Sequence, residues 1–323
     1  RSFIAVLMDD RILAIDIGAG TQDILIHDPA RTPENQFRLV MPSQTQVVAG
    51  RIREVTAAGK PLHLDGVVMG GGASTTAIAE HVAAGLTVTA TAGAARTVHN
   101  RPERVAAAGV VIADTAPAGA VTVTLGDVDL PGLGTALAAF GVPMPDAFAF
   151  AAQDHGVATG RGNNDVRGDY LHWLVREAGS LERAAFTTAP SGMTRMQAIA
   201  ETVPGCVLMD TGAAALLGAL DDPVVAQAAE QGAVLVNIGN MHTFAALMLG
   251  RRIVGVFEHH TGGMSRDLLV DLVARMQARD LTNAEFRERY DGHGAVLAAD
   301  IDPAVAFDFV AITGPNRGIA ADL

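Results

Sequence analysis

Cysteine and lysine are the scarcest chemically useful residues of this chain. Cys206 is the single cysteine, which excludes an internal disulfide and any metal or iron–sulfur site built from clustered cysteines. A reducing, cytoplasmic compartment is therefore expected. Lys60 is the single lysine and is followed by Pro61, so the chain has no G-x-x-x-x-G-K-[ST] phosphate loop. Any nucleoside triphosphate must be bound by other means.

Long apolar runs and excess positive charge are also lacking. No window approaches the ~18–20 uninterrupted apolar residues of a membrane span, so we expect no membrane partner. The net charge is −12, from 35 acidic and 23 basic residues, which disfavours a nucleic-acid surface. The opening RSFIAVLMDD does not have the pattern of a signal peptide, and Met8 is the expected start. The 323 residues, 49% of them hydrophobic, leave room for two domains with large cores.

Two distant stretches share one pattern. Residues 11–28 read RILAIDIGAGTQDILIHD, and residues 232–249 read GAVLVNIGNMHTFAALML. Each is an apolar run, then Asp or Asn, an apolar residue and Gly, a short polar turn, and a second apolar run. Short Ile- and Val-rich runs around a Gly-containing turn predict two adjacent strands. The two copies are separated by most of the chain, which indicates two related domains and not a solenoid.

The first turn carries groups suited to a polyanion. Gly18 and Gly20 allow backbone N–H groups to approach a phosphate closely, and Thr21 and Gln22 add donors. Asp16 lies inside an apolar strand, where an unpaired carboxylate is costly and calls for a cation, hydrogen-bond donors or a functional site. Asp23 can hold a metal-bound water. The alternative is a tight hairpin in which Asp16 caps its own turn.

The second turn contains Asn237, Gly239, Asn240, His242 and Thr243. Alone, it is typical of an ordinary hairpin. Because it repeats the pattern of the first turn, the two turns are expected to bind one polyanion together.

Strands alternating with short helices elsewhere predict an α/β fold. Residues 38–52 look extended, 61–69 and 147–152 read as strands, and 131–145 reads as a connection. Arg161 and Arg167 fall in a predicted polar loop, residues 159–169, that is expected to be solvated. An amphipathic helix is predicted to run from Gly263 to about Ala278, and a last strand from Phe307 to Ile312.

At this point the chain resembles the superfamily of actin, sugar kinases and DnaK-type chaperone ATPases. Five segments match it in order: 16–21 (DIGAGT, first phosphate loop), 210–218 (DTGAAALLG, connecting helix), 237–243 (second phosphate loop), 260–263 (HTGG) and 313–317 (TGPNR, adenosine-contacting turn). The resemblance implies duplicated, ribonuclease H-like domains around an interdomain cleft. The first would span 9–218 with an inserted α/β subdomain, and the second 219–323, truncated at its C-terminus.

The resemblance also implies ATP and Mg²⁺ as ligands. Phosphate would be held by the first-turn residues named above and by Gly239, Asn240 and Thr243, with adenosine flanked by Gly314 and Asn316. Asp16 would act catalytically through a metal-bound water, and Asp23 would contribute to the same metal site.

Asp154 follows a strand roughly where sugar kinases place a catalytic acid. There it would accept a hydroxyl proton or orient water. The alternative role for Asp154 is capping its own loop.

Within that superfamily, the chain resembles a prokaryotic family. Six segments together carry this resemblance: IDIGAGTQDIL, MGGG, QDHG, NIGNMHTFA, EHHTGG and TGPNR. Some of its members carry the label "pyruvate formate-lyase-activating-enzyme-like". A radical enzyme of that kind needs three clustered cysteines for its iron–sulfur cluster, and this chain has only Cys206.

Two positions depart from the superfamily pattern. Asn237 stands where an Asp is usual, and Pro315 replaces a usual second glycine. Three functions stay open: phosphoryl transfer from MgATP to water or a small molecule, a nucleotide-gated switch acting on a partner enzyme, and a non-catalytic binding module. The partners are accordingly a nucleotide and an unidentified small molecule or protein.

A histidine metal site is a further alternative. His242, His259 and His260 are the candidates, but adjacent residues of a strand point to opposite faces. We therefore do not expect His259 and His260 to share one ion.

Overall fold

A computed structural model describes residues 10–157, 160, 161, 163–290 and 292–321. The expected start at Met8 lies outside the described residues. The chain forms two compact units. Unit 1 comprises the described residues up to 152 together with Thr187–Leu208, and unit 2 comprises Gln153–Phe186 and the residues from Met209 onward. The predicted domain division at residue 218 stays a prediction.

Unit 1 contains a five-stranded sheet that includes the first predicted hairpin. Its strands are β1 (Ile12–Ile17), β2 (Thr21–His27), β3 (Phe37–Pro42), β8 (Ala147–Ala152) and β9 (Val207–Met209). Their order is β3-β2-β1-β8-β9, with β1 antiparallel to β2 and parallel to β8. Leu13, Ile15 and Ile17 alternate with less buried neighbours, which is the period-two pattern of a sheet with one face in the core.

A second, fully parallel sheet completes unit 1. It consists of β4 (Leu62–Gly66), β5 (Val88–Ala90), β6 (Val110–Ile112) and β7 (Val121–Leu125) in the order β6-β5-β4-β7. The helices of this unit are α1 (Gln44–Ala57), α2 (Ala73–Ala83), α3 (Ala92–Val98), α4 (Pro102–Ala107), α5 (Leu130–Ala139) and α7 (Thr194–Thr202). Val48, Ile52 and Val55 of α1 pack with Leu62 and Leu64 of β4 in one core.

Unit 2 is built on a third sheet, which contains the second predicted hairpin. Its strands are β10 (Ala233–Ile238), β11 (His242–Leu249), β12 (Arg252–His260), β13 (Gly294–Leu297) and β14 (Phe309–Thr313). Their order is β13-β12-β11-β10-β14, with β10 antiparallel to β11 and parallel to β14. The helices of this unit are α6 (Asn163–Trp173), α8 (Thr211–Ala219), α9 (Pro223–Gln231), α10 (Arg266–Ala278) and α11 (Asn283–Tyr290).

Helix α10 shows why its sequence folds as it does. The Ser265 hydroxyl caps its first turn by accepting a hydrogen bond from the Leu268 N–H at 3.1 Å. Leu269, Leu272, Val273 and Met276 recur at helical spacing and bury one face in the core of unit 2. The prediction of this amphipathic helix is confirmed, with its first residue at Arg266 instead of Gly263.

The two sheets that contain the hairpins share a strand arrangement. In each, three consecutive strands form an antiparallel meander, β1-β2-β3 in one and β10-β11-β12 in the other. A later strand then pairs in parallel with the free edge of the first, β8 with β1 and β14 with β10. The α/β class and both hairpins are confirmed.

Three predictions of local structure are wrong. Residues 44–52 are not extended but form most of α1, and 130–139, which fall largely in the predicted connection, form α5. The polar stretch after β8 contains α6, which begins at Asn163. Among the helices of the described residues, none combines the length and the apolar character needed to cross a bilayer.

Candidate functional site

The first hairpin ends in a four-residue turn closed by glycine. Ile17 of β1 pairs with Gln22 of β2, and between them the Gly18 N–H donates to the Thr21 carbonyl at 3.0 Å. A β-carbon on Gly18 would lie 2.8 Å from that carbonyl oxygen, so the turn requires glycine there. The N–H of Gly18 therefore shapes the turn, and contacts to a phosphate would have to come from the remaining groups.

Neighbouring groups of unit 1 hold this turn. The Ser43 N–H donates to the Gly20 carbonyl and the Gln46 side chain donates to the Ala19 carbonyl, each at 3.1 Å. The Gln22 side-chain amide donates to the Pro42 carbonyl at 3.0 Å. A β-carbon on Gly20 would have no neighbour within 4 Å, so the space next to this residue is open.

Asp16 and Asp23 lie directly opposite each other on the hairpin. Opposed residues of an antiparallel pair point to the same face of the sheet, and two carboxylates placed in this way repel each other. Asp16 is half-buried and Asp23 is exposed. A cation beside this pair would relieve the repulsion; the metal role of both residues stays a prediction.

The second hairpin repeats the geometry of the first within unit 2. Ile238 pairs with Thr243, and the Gly239 N–H donates to the His242 carbonyl at 2.9 Å. By register, Asn237 therefore occupies the position of Asp16, and His242 that of Thr21. Thr243 corresponds to Gln22; it is fully buried, and its hydroxyl lies 3.1 Å from the Thr261 hydroxyl.

The predicted adenosine turn lies against the second hairpin turn. The Asn316 side chain donates to the Gly239 carbonyl at 2.9 Å and lies 3.4 Å from the Asn240 side-chain oxygen. Gly314 has φ +101°, and a β-carbon there would overlap the Ile238 carbonyl. Unit 2 therefore brings together Gly239, Asn240, Gly314 and Asn316. The predicted residues of the first turn, by contrast, belong to unit 1.

Asp154 is nearly inaccessible to solvent. One of its carboxylate oxygens accepts a hydrogen bond from the Gly156 N–H at 2.8 Å, and the side chain is 5% exposed. This is the geometry of an Asp that caps its own loop. Its predicted catalytic role stays a prediction.

A buried arginine joins the loop of Asp154 to two acidic residues. Arg167 is 1% exposed and donates to both Asp210 oxygens, at 2.7 and 3.1 Å, and to Glu258 at 2.6 Å. The Gln153 side chain donates to the other Glu258 oxygen. The expectation that Arg167 is solvated is wrong. A signal was present in the sequence, because Glu258 sits inside an apolar strand, where a carboxylate calls for a cation or hydrogen-bond donors.

The charges of this network are mutually dependent. Burial alone would lower the pKa of Arg167, but the carboxylates of Asp210 and Glu258 outweigh it and hold that pKa well above its ordinary value. Burial raises the pKa of Glu258, an effect that Arg167 only partly offsets. Asp210 also accepts from the Gly212 N–H at 3.0 Å and so caps the start of α8.

Four histidine rings cluster beside this network. The ring centre of His242 lies 5.4 Å from that of His155, 4.9 Å from that of His293 and 5.2 Å from that of His260. His155 and His293 are 5.0 Å apart, and His260 and His293 are 4.3 Å apart. These residues come from the loop after β8, the start of β11, the residue before β13 and the end of β12. Nothing in the local sequence pattern indicates that such distant segments converge.

His259 is excluded from this cluster. Its ring lies between the carbonyl oxygens of His260 and Tyr290, at 2.7 and 2.6 Å, and contacts the edge of Phe286. The expectation that His259 and His260 face opposite sides is confirmed. The alternative hypothesis of a metal site shared by His242, His259 and His260 is therefore wrong.

The enclosed rings of the cluster are held neutral. Burial, followed by the neighbouring His155, lowers the pKa of His242 to about 2 and the pKa of His293 to about 3. Neutral imidazole is the form that binds metal ions. Cys206 is buried and burial raises the pKa of its thiol, so it is unsuited to redox chemistry or metal ligation.

Comparison with known proteins gives one family. No curated protein matches the chain. Residues 69–319, more than half of the chain, match the model of a family described as "Putative pyruvate format-lyase activating enzyme (DUF1786)". The resemblance to a family with that label is thus confirmed, and the chain belongs to it.

Proposed function

We propose that the chain binds MgATP and transfers its γ-phosphoryl group to water or to a small hydroxylated molecule, as a member of the actin-like ATPase superfamily. The observation that carries this proposal is the repeated strand arrangement of the two sheets. Each has an antiparallel meander, a later strand parallel to the first, and a four-residue turn closed by a glycine N–H. Duplicated, ribonuclease H-like domains would have this property.

The two turns carry different side chains, which supports a different binding role for each. The first turn carries Asp16 and Asp23, which suit Mg²⁺ because hard cations prefer carboxylate oxygens and water. The second turn carries Asn237, which cannot ionise, and packs against the turn of Gly314 and Asn316. We therefore assign metal and phosphate contacts mainly to the first turn and adenosine contacts to the second. Catalysis would rest on orientation and electrostatics.

A nucleotide-gated switch is the second candidate, and Asn237 and Asp154 favour it. Asn237 supplies no second carboxylate, and the Asp154 carboxylate is used to cap its own loop. Both features fit slow turnover with tight binding.

Isothermal titration with MgATP tests the binding proposal. Asp16→Asn keeps the shape of the side chain and removes its charge, while Asp10→Asn removes an exposed charge from the same end of the chain. We expect Asp16→Asn to weaken binding at least about tenfold, or about 1.4 kcal/mol, and Asp10→Asn to bind like the wild type. Equal affinity of all three proteins would remove Asp16 from the site, and a wild type that does not bind MgATP would overturn the proposal.

A turnover assay then separates the two candidates. Phosphate release that rises with one member of a panel of hydroxylated metabolites indicates a kinase. Release that is slow and independent of the panel indicates an ATPase or a switch.

A further inference from the structure

We propose that His155, His242 and His293 form a binding site for one divalent transition-metal ion of the zinc type. All three residues belong to unit 2, whereas Asp16 belongs to unit 1.

The geometry of the three rings supports a common ion. One ring nitrogen from each residue lies within 4.8 Å of the others. Nitrogen ligands bind zinc at about 2.0–2.1 Å, so three of them around one ion lie about 3.4 Å apart. Small rotations of the side chains would close this difference. His155 lies on a loop, which can supply most of that movement.

His242 lacks the partners that a buried imidazole normally has. Both of its ring nitrogens are inaccessible, and neither has a hydrogen-bond partner among the residues that the structure describes. A buried polar group without a partner is costly. A metal ion bound to one of these nitrogens would compensate part of that cost.

Strands of the unit 2 sheet position two of the ligands. His242 is the first residue of β11, where it pairs with His260 of β12. His293 directly precedes β13, and its backbone N–H donates to the Glu258 carbonyl at 2.9 Å. Glu258 is in turn bonded to Arg167. The buried arginine network thus holds the strand against which His293 is placed.

The donor set indicates the class of metal and of chemistry. Three neutral imidazoles suit zinc and its first-row neighbours and disfavour Mg²⁺ or Ca²⁺, which prefer oxygen. Three protein ligands leave a position open for water or a substrate atom, as in catalytic zinc sites. His260 is exposed and packs on His293, so it lies at the outer side of the cluster, where an incoming molecule would meet it.

Titration with Co²⁺, a coloured substitute for zinc, tests the site in the full chain after removal of any oligohistidine tag. We expect one equivalent to bind, with the ligand-field absorption of a four- or five-coordinate site, and zinc to displace it. His155→Ala, His242→Ala and His293→Ala should each weaken binding at least about 100-fold, because loss of a direct ligand exceeds the 10- to 100-fold effect of a supporting residue. His172→Ala, an exposed histidine of the same unit, is the control and should bind normally.

The result is interpretable even if a buried variant does not fold. His155 lies on a loop, so His155→Ala is expected to keep the wild-type circular dichroism spectrum and to lose binding on its own. Wild-type affinity in His155→Ala, or equal weakening in His172→Ala, would overturn the proposal. The titration contains no nucleotide and Asp16→Asn should bind Co²⁺ normally, so this outcome is independent of the ATP proposal.

Discussion

Arg167 illustrates how one side chain can determine the interior of unit 2. It lies between two carboxylates on different elements, Asp210 at the start of α8 and Glu258 on β12. Its guanidinium carbon also lies 4.9 Å from the centre of the Tyr170 ring. Removing one partner of a buried ionic network leaves the others without compensation. Substituting Arg167 therefore costs more than the pairs themselves contribute to folding.

Arg167→Met is expected to destabilise the protein by about 3–5 kcal/mol, because two buried carboxylates lose their cation. Arg161→Met is the matched control, since Arg161 forms an exposed pair with Asp169 at 2.5 Å. Exposed pairs contribute little, so its urea midpoint should stay close to that of the wild type. Urea unfolding followed by circular dichroism measures both. Similar midpoints for the two variants would contradict the role given to Arg167.

His81 provides a prediction on pH. Its side chain is fully buried in α2, with one ring nitrogen 2.8 Å from the Thr56 hydroxyl. Burial lowers the pKa of His81 below the ordinary value of 6.5. The unfolded chain therefore binds a proton at this residue that the folded chain does not. Stability must fall as the pH drops below about 6.5, by up to about 1.4 kcal/mol per pH unit for one proton.

The comparison of His81→Asn with the exposed control His27→Asn isolates this effect. Urea midpoints measured from pH 8.0 to 5.5 should fall less steeply for His81→Asn than for the wild type, because every other titrating group is shared. His27→Asn should follow the wild-type slope. Parallel slopes for all three proteins would show that His81 is protonated equally in the folded and unfolded states.

At the scale of elements, the two hairpins were predictable and several helices were not. Alternating Ile and Val around a glycine-containing turn leaves little choice but paired strands. At the position of α1, the β-branched residues Val47, Val48 and Ile52 favour a strand. The spacing of buried Val48, Ile52 and Val55 fits a helix and was the better signal. For α5, Asp129 caps the first turn and Pro131 occupies it, and this combination in the sequence indicates the start of a helix.

The turn glycines allow a test of the repeated geometry. A β-carbon on Gly18 would lie 2.8 Å from the Thr21 oxygen, and one on Gly239 would lie 2.9 Å from the His242 oxygen. Gly18→Ala and Gly239→Ala are each expected to cost about 1–3 kcal/mol, because backbone atoms must shift. Gly20→Ala meets open space and should stay within about 0.5 kcal/mol of the wild type. Thermal and urea unfolding of the three variants measure the difference; if all three behave alike, the turns do not need glycine for the reason given.

At the scale of the whole molecule, each unit has a core of its own. One core is centred on Val48, Ile52, Leu62 and Leu64, and the other on Val234, Val236, Leu247 and Phe257. The sequence pattern could indicate the two similar hairpins, one in each unit, because strand periodicity is local. It could not place His155, His242 and His293 together, because their convergence depends on three separate elements of unit 2.

Hydrogen exchange provides the test at this scale. If one MgATP molecule contacts both hairpin turns, as proposed, it must slow amide exchange in 18–22 of unit 1 and in 239–243 of unit 2 at the same time. Adenosine is the matched control, because it has the base and ribose without phosphates. It should slow exchange around the turn of Gly314 and Asn316 and leave 18–22 unchanged, since the first turn is assigned the metal and phosphate contacts.

Asp16→Asn sharpens the same experiment. Its lost charge weakens the hold on Mg²⁺ and phosphate, so protection of both turns should decline together at a fixed MgATP concentration. Zinc, added without nucleotide, should instead protect the segments around His155, His242 and His293 and leave residues 18–22 of unit 1 unaffected. Protection by MgATP in one unit alone would mean that the repeated turns do not act on one ligand, and the proposed shared binding of the triphosphate would have to be abandoned.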